Sequence, residues 1–83
     1  MTEYQVARTV DSKGESCPMP IVEARQAIEE ANVGDVLEVL STDRGSQSDF
    51  QGWSDGSEDV ELLDSEEFEE DGETVYRFYI EKV

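Results

Sequence analysis

The chain has 83 residues, enough for one domain spanning 1–83 around a single small core, and 36% of them are hydrophobic. Twenty-two Asp and Glu stand against six Lys and Arg, a formal net charge of −16 that repels phosphate backbones and argues against direct nucleic-acid binding. No apolar run approaches a membrane span, the start MTEYQVARTV lacks a signal-peptide layout, and one cysteine cannot form an internal disulfide. A cytoplasmic monomer with no membrane contact is the expectation.

So acidic a composition also suits a disordered chain, but here the apolar residues fall in periodic blocks. Adaptation to high salt accounts for the charge better. Only Lys13 and Lys82 are lysines, and at ~1 M ionic strength the screening length of ~3 Å would remove most of the self-repulsion.

Tyr4 to Val10 alternates loosely and reads as a first strand, with Tyr4, Val6 and Val10 on one side. A polar loop, Asp11 to Ser16, precedes a helix from about Pro18 to Asn32. Ile21, Ala24, Ile28 and Ala31 form its buried stripe, and Asn32-Val33-Gly34-Asp35 stops it. Val36 to Leu40 is apolar except at Glu38 and reads as an interior strand.

Ser41-Thr42-Asp43 offers capping side chains for a second helix around Ser46 to Trp53, which Phe50 and Trp53 anchor. Val60 to Leu63 and Thr74 to Ile80 read as the last two strands, the latter with Tyr76, Phe78 and Ile80 on one face. Between them, Asp64 to Glu73 is acidic except at Ser65, Phe68 and Gly72 and reads as a solvated hairpin loop. The order β-α-β-α-β-β, with right-handed crossovers, gives an α+β, two-layer sandwich. Both helices cover one face of a four-stranded mixed sheet, and the other face stays open.

The lone thiol sits in GESCPMPIV, Gly14 to Val22. Proline suits a first helical turn, where its missing donor costs nothing, and Pro18 biases Cys17 toward the extended conformation of a cap. Pro18 and Pro20 would pin the helix start so that the sulfur faces the amides of Met19 and Ile21. Pro20 should also disturb Met19 and leave the first turn irregular. A thiol at such a terminus is more acidic than a free one. The competing reading is a buried inert cysteine, but a cap between a polar loop and a proline-fixed turn is a poor place to bury one.

With no histidine and no second cysteine there is no Cys-His pair, no CxxC couple and no His or thiolate metal site. No nucleotide-binding glycine pattern occurs, and the acidic clusters lack EF-hand spacing, so neither a cofactor nor a metal is expected. What is left is an exposed, activated sulfur able to accept a group and pass it on.

Cys17-Pro18-Met19-Pro20 matches the CPxP motif of the TusA/SirA-like sulfur-carrier family. The resemblance extends to Asp11 and Gly14 before the cysteine, Arg25 in the helix, Gly34-Asp35, Leu37-Glu38-Val39 through Thr42-Asp43, then Asp49-Phe50 and Trp53. It implies the same sandwich fold, with Cys17 as the persulfide site, Pro18 and Pro20 shaping it, and Gly14 allowing a tight approach before it. It implies a cysteine desulfurase or other sulfurtransferase as donor and a downstream acceptor protein. Routes of that kind include tRNA thiolation, molybdenum-cofactor assembly and sulfur oxidation. The alternatives are a regulatory or interaction module on the same fold, and a redox sensor in which Cys17 is oxidised to sulfenic acid.

Overall fold

Leu37, Val39 and Ser41 alternate with half-buried neighbours along β2 (Val36–Ser41), so one face of this strand lies in the core. The computed structural model describes residues 4–16 and 19–83. The remaining elements are β1 (Val6–Ser12), α1 (Met19–Glu30), α2 (Ser46–Gly56), β3 (Val60–Glu70) and β4 (Glu73–Lys82). They form a four-stranded sheet in the order β1-β2-β4-β3. The β1/β2 pair is parallel and the other two pairs are antiparallel. This is the expected α+β sandwich, with β2 interior.

Both helices pack on one face. Ala24, Ala27 and Ile28 of α1 and Phe50 of α2 share one cluster with Val10, Leu37, Val39, Val60, Tyr76, Phe78 and Ile80. The predicted stripe of α1 holds at Ala24 and Ile28, gains Ala27 and Pro20, and fades at Ile21 and Ala31, which are half-buried. Phe50, with no exposed surface, stacks on Phe78 at 4.4 Å between centroids and meets Trp53 edge-on at 5.9 Å. Offset aromatic packing of this kind stabilises beyond the area it buries. The buried hydroxyls of Ser41 and Ser46 satisfy each other at 2.7 Å.

Three expectations change. Tyr4, Val6 and Val10 do not share a side, because the β1 register shifts between Val6 and Arg8. That bulge turns Val10 into the core and leaves Val6 36% exposed, while Tyr4 crosses to the opposite face and packs on Tyr79 at 5.0 Å.

The acidic segment Asp64 to Glu73 is not a loop. β3 continues to Glu70 and β4 resumes at Glu73, leaving only Asp71-Gly72 as the turn, at φ of 52° and 79°. Positive φ at both central residues is the two-residue hairpin geometry that suits the twist of the flanking strands. Arg77 stabilises this extension, with Nη1 3.2 Å from Glu66 Oε2 and its guanidinium 4.6 Å from the Phe68 ring centroid.

The second sheet face is also less open than expected. Val75 and Tyr79 are buried on it, with Phe68 paired across from Val75 and Tyr4 lying on Tyr79. Glu38 sits in the same layer, accepting from Thr9 Oγ1 at 3.0 Å. Arg77 Nε approaches Glu38 Oε2 at 3.2 Å, a charge contact without hydrogen-bond alignment.

Candidate functional site: the loop between β1 and α1

The parallel strands β1 and β2 end side by side, at Ser12 and Ser41. The loops that follow them emerge at the same edge, where open α/β sheets usually place their sites. Cys17 and Pro18 lie outside the described residues, so the site is defined by what surrounds them.

Each flank of the loop is tied to a different element. The Lys13 amide donates to Asp11 Oδ1 at 3.1 Å, and the Glu15 amide donates to the Ser12 carbonyl at 3.2 Å. The Gly14 amide donates to Thr42 Oγ1 of the β2–α2 loop at 2.9 Å. Lys13 Nζ reaches Glu70 Oε1 near the hairpin tip at 3.2 Å. Ser12 Oγ, fully buried at the end of β1, lies 3.3 Å from both carboxylate oxygens of Glu23 in α1.

Gly14 adopts φ +86°, where a side chain is strained, yet a Cβ built there meets nothing within 4 Å. Among the described residues its requirement is therefore torsional. Pro20 is fully buried as the second residue of α1. The Met19 amide donates to the Ser16 carbonyl at 3.0 Å. Helix α1 runs from Met19 with Pro20 in its first turn. Met19 itself is exposed.

The charges around the loop are coupled. A side-chain hydrogen bond with Glu23 raises the Glu15 pKa above its ordinary value. Burial and the negative charges of Glu23 and Asp11 push it the same way. Lys13 is also raised, first by its hydrogen bond to Glu70 and then by the charges of Glu70 and Asp11. Glu15 thus takes up a proton more readily than a free carboxylate does.

Sequence reasoning singled out Gly14 and Pro20 but missed Ser12, Glu23 and Thr42 as their supports. Ser12 carried a signal: it follows Val10 by two and so points to the core, an odd place for a hydroxyl without a partner. Among the described residues no cluster of three or more metal-ligating side chains occurs, and no helix is long and apolar enough to cross a membrane.

Comparison with known proteins agrees with this arrangement. The family model described as sulfurtransferase TusA matches residues 8–82. A Halobacterium salinarum protein, provisionally named a sulfur carrier, is 48% identical over 80 residues, covering 96% of this chain and 94% of that protein. A provisionally named sulfur carrier of Aquifex aeolicus is 40% identical over 82 residues, which are 99% of this chain and 39% of its own length. The crystal structure of a SirA-like protein from Desulfitobacterium hafniense superposes with a TM-score of 0.64 at 27% identity, covering 88% of this chain and 95% of that one. Matched by the family model over nearly its whole length, and 48% identical to a relative that it covers almost completely, the chain belongs to the TusA sulfurtransferase family.

Proposed function

We propose that this protein is a cytoplasmic sulfur carrier that holds sulfur on Cys17 as a persulfide and relays it between proteins. The observation that carries the reading is the fixing of both flanks of the CPxP segment: by Thr42 and Glu70 on one side and by the buried start of α1 on the other. A carrier needs a reactive sulfur on a rigid mount that two partners can approach in turn. In this reading Gly14 sets the loop, Pro18 and Pro20 fix the helix start, and the positive end of α1 stabilises the sulfur anion.

The transfer balances without an oxidant. The Cys17 thiolate attacks the outer sulfur of a donor enzyme's persulfide, the donor S–S bond breaks, and the donor cysteine leaves as a thiolate. The resulting Cys17 persulfide then loses its outer sulfur to an acceptor thiolate by the same exchange. The donor would be a cysteine desulfurase or another sulfurtransferase. The acceptor would serve tRNA thiolation, molybdenum-cofactor assembly or a related use of sulfur.

Intact mass after incubation with a desulfurase and cysteine tests the reading. Addition of one sulfur atom, reversed by dithiothreitol, is the expected result. Addition of oxygen would indicate a redox sensor, and no addition with several donors would indicate an interaction module; either overturns carriage.

A further inference from the structure

Asp11-Ser12, Asp55-Gly56, Asp64-Ser65 and Asp71-Gly72 each join an aspartate to a small residue. After so small a follower, the next backbone nitrogen can reach the aspartate Cγ and close a five-membered cyclic imide. Closure needs two freedoms: an unengaged amide after the aspartate, and a ψ angle that can rotate until that nitrogen meets the carbon.

The fold withholds these from three of the pairs. Asp55 and Gly56 lie in the last turn of α2, and Asp55 Oδ1 accepts from Gln51 Nε2 at 3.0 Å. Asp11 and Ser12 are held in register against Leu40 and Ser41, with Ser12 fully buried. Asp64 and Ser65 are paired with Tyr79 and Phe78, and the Ser65 amide donates to Asp64 Oδ1 at 2.8 Å. That bond points the N–H at the carboxylate oxygen and keeps the nitrogen off the carbon.

Asp71-Gly72 differs on every count. Both residues are exposed and form the hairpin turn at φ of 52° and 79°. Among the described residues the Gly72 amide donates no hydrogen bond and the Asp71 carboxylate accepts none. The last β2–β4 pair is Ser41 with Tyr76, so the pairs Phe68–Val75, Glu69–Thr74 and Glu70–Glu73 lead to the turn without a third strand on the β2 side. Two-residue hairpins close with either a type I′ or a type II′ turn. Rotating the central peptide interconverts them, taking ψ of the first residue from about +30° to about −120° while the strands stay in place. Gly72 accepts either sign of φ. The rotated form is unfavourable for a residue with a side chain and so is transient, but it swings the Gly72 nitrogen toward Asp71 Cγ.

We propose that Asp71 is a site of spontaneous isomerisation to isoaspartate, and that the change unties the hairpin end from Lys13. The Gly72 nitrogen bonds to Cγ of the protonated Asp71 side chain, and the carboxyl OH leaves as water with the amide proton. Water then cleaves the bond between the Asp71 main-chain carbonyl and the Gly72 nitrogen. The chain now runs through Cβ and Cγ, with a carboxylate on Cα, and neither mass nor oxidation state changes. One extra main-chain atom breaks the two-residue turn, so the Glu70–Glu73 pairing and the 3.2 Å contact of Lys13 Nζ with Glu70 Oε1 are lost.

Prolonged incubation of the full chain in molar salt, then digestion and electron-transfer fragmentation, locates isoaspartate residue by residue. Asp71 should convert at least about tenfold faster than Asp11, Asp55 or Asp64, equivalent to ~1.4 kcal/mol of extra opening cost at those sites. In concentrated urea the two Asp-Gly pairs should convert at similar rates, because the fold no longer separates them. Absence of isoaspartate at Asp71 in the folded chain, or equal conversion of Asp55, overturns the proposal. The isomerised chain, separated by ion exchange, should show shifted Lys13 and Glu70 amide resonances. Asp71→Glu, whose longer side chain cannot close the five-membered ring, should keep them unchanged over the same incubation. Unshifted resonances in the isomerised chain, or the same drift in the glutamate variant, overturn the link to Lys13.

Discussion

The backbone amide of Gly14 donates to the Thr42 hydroxyl at 2.9 Å, joining the loop that carries Cys17 to the loop after the neighbouring parallel strand. The bond holds Gly14 at a φ of +86°, so a side chain distant in sequence helps to set the backbone just before the motif. Thr42→Val keeps the shape and removes the acceptor. It should cost about 1 kcal/mol in urea unfolding, as a single hydrogen bond does. Hydrogen exchange should accelerate at Gly14 with little change in the β4 amides. Unchanged exchange at Gly14 would show that the loop is held by other ties.

Phe50 lies between the helical layer and the sheet, stacked on Phe78. Phe50→Ala leaves a cavity where nothing is exposed and should cost about 3–5 kcal/mol, enough to leave a domain of this size largely unfolded. Thermal denaturation followed by circular dichroism reads the loss. A cost below about 1 kcal/mol would mean that the two helices pack independently of this stack.

Glu15 gives stability a specific pH dependence. Its folded pKa is raised above the ordinary 4.5, by the hydrogen bond to Glu23 first, so the native state binds more protons than the unfolded chain across that window. Stability contributed by protonation of Glu15 is present below 4.5 and is lost as pH rises through the raised value. Glu15→Gln should therefore flatten the fall in melting temperature with rising pH just above 4.5. Identical slopes for variant and wild type would show that the fold does not raise the Glu15 pKa.

Much of the fold is legible in residue spacing. The stripe Ala24 and Ile28 and the alternation Leu37, Val39 place α1 and β2 because burial enforces their periods. The continuation of the hairpin strands through Asp64 to Glu73 was missed because its charge suggested solvation, while Phe68 and the Asp71-Gly72 pair carried the strand signal. The bulge after Val6 left no mark in sequence, since no glycine or proline punctuates it. At the site, the motif and Gly14 were legible. Ser12–Glu23 and Gly14–Thr42 were not, because such pairs exist only once β1, α1 and β2 have been brought together.

From the net charge of −16 we predict that stability depends on salt. Dilution from molar salt to ~10 mM extends the screening length to ~30 Å, comparable to the whole molecule, and restores repulsion among the carboxylates. The melting temperature should fall on dilution. Equal melting in both buffers would contradict salt adaptation and leave the site chemistry untouched.

The most direct measurement of the central claim follows radiosulfur from labelled cysteine, through a desulfurase, onto this chain in high salt. The account predicts label on the wild type that dithiothreitol releases, and none on Cys17→Ser despite an unchanged melting temperature. Equal labelling of the serine variant, or an unlabelled wild type with an active desulfurase, would contradict carriage on Cys17.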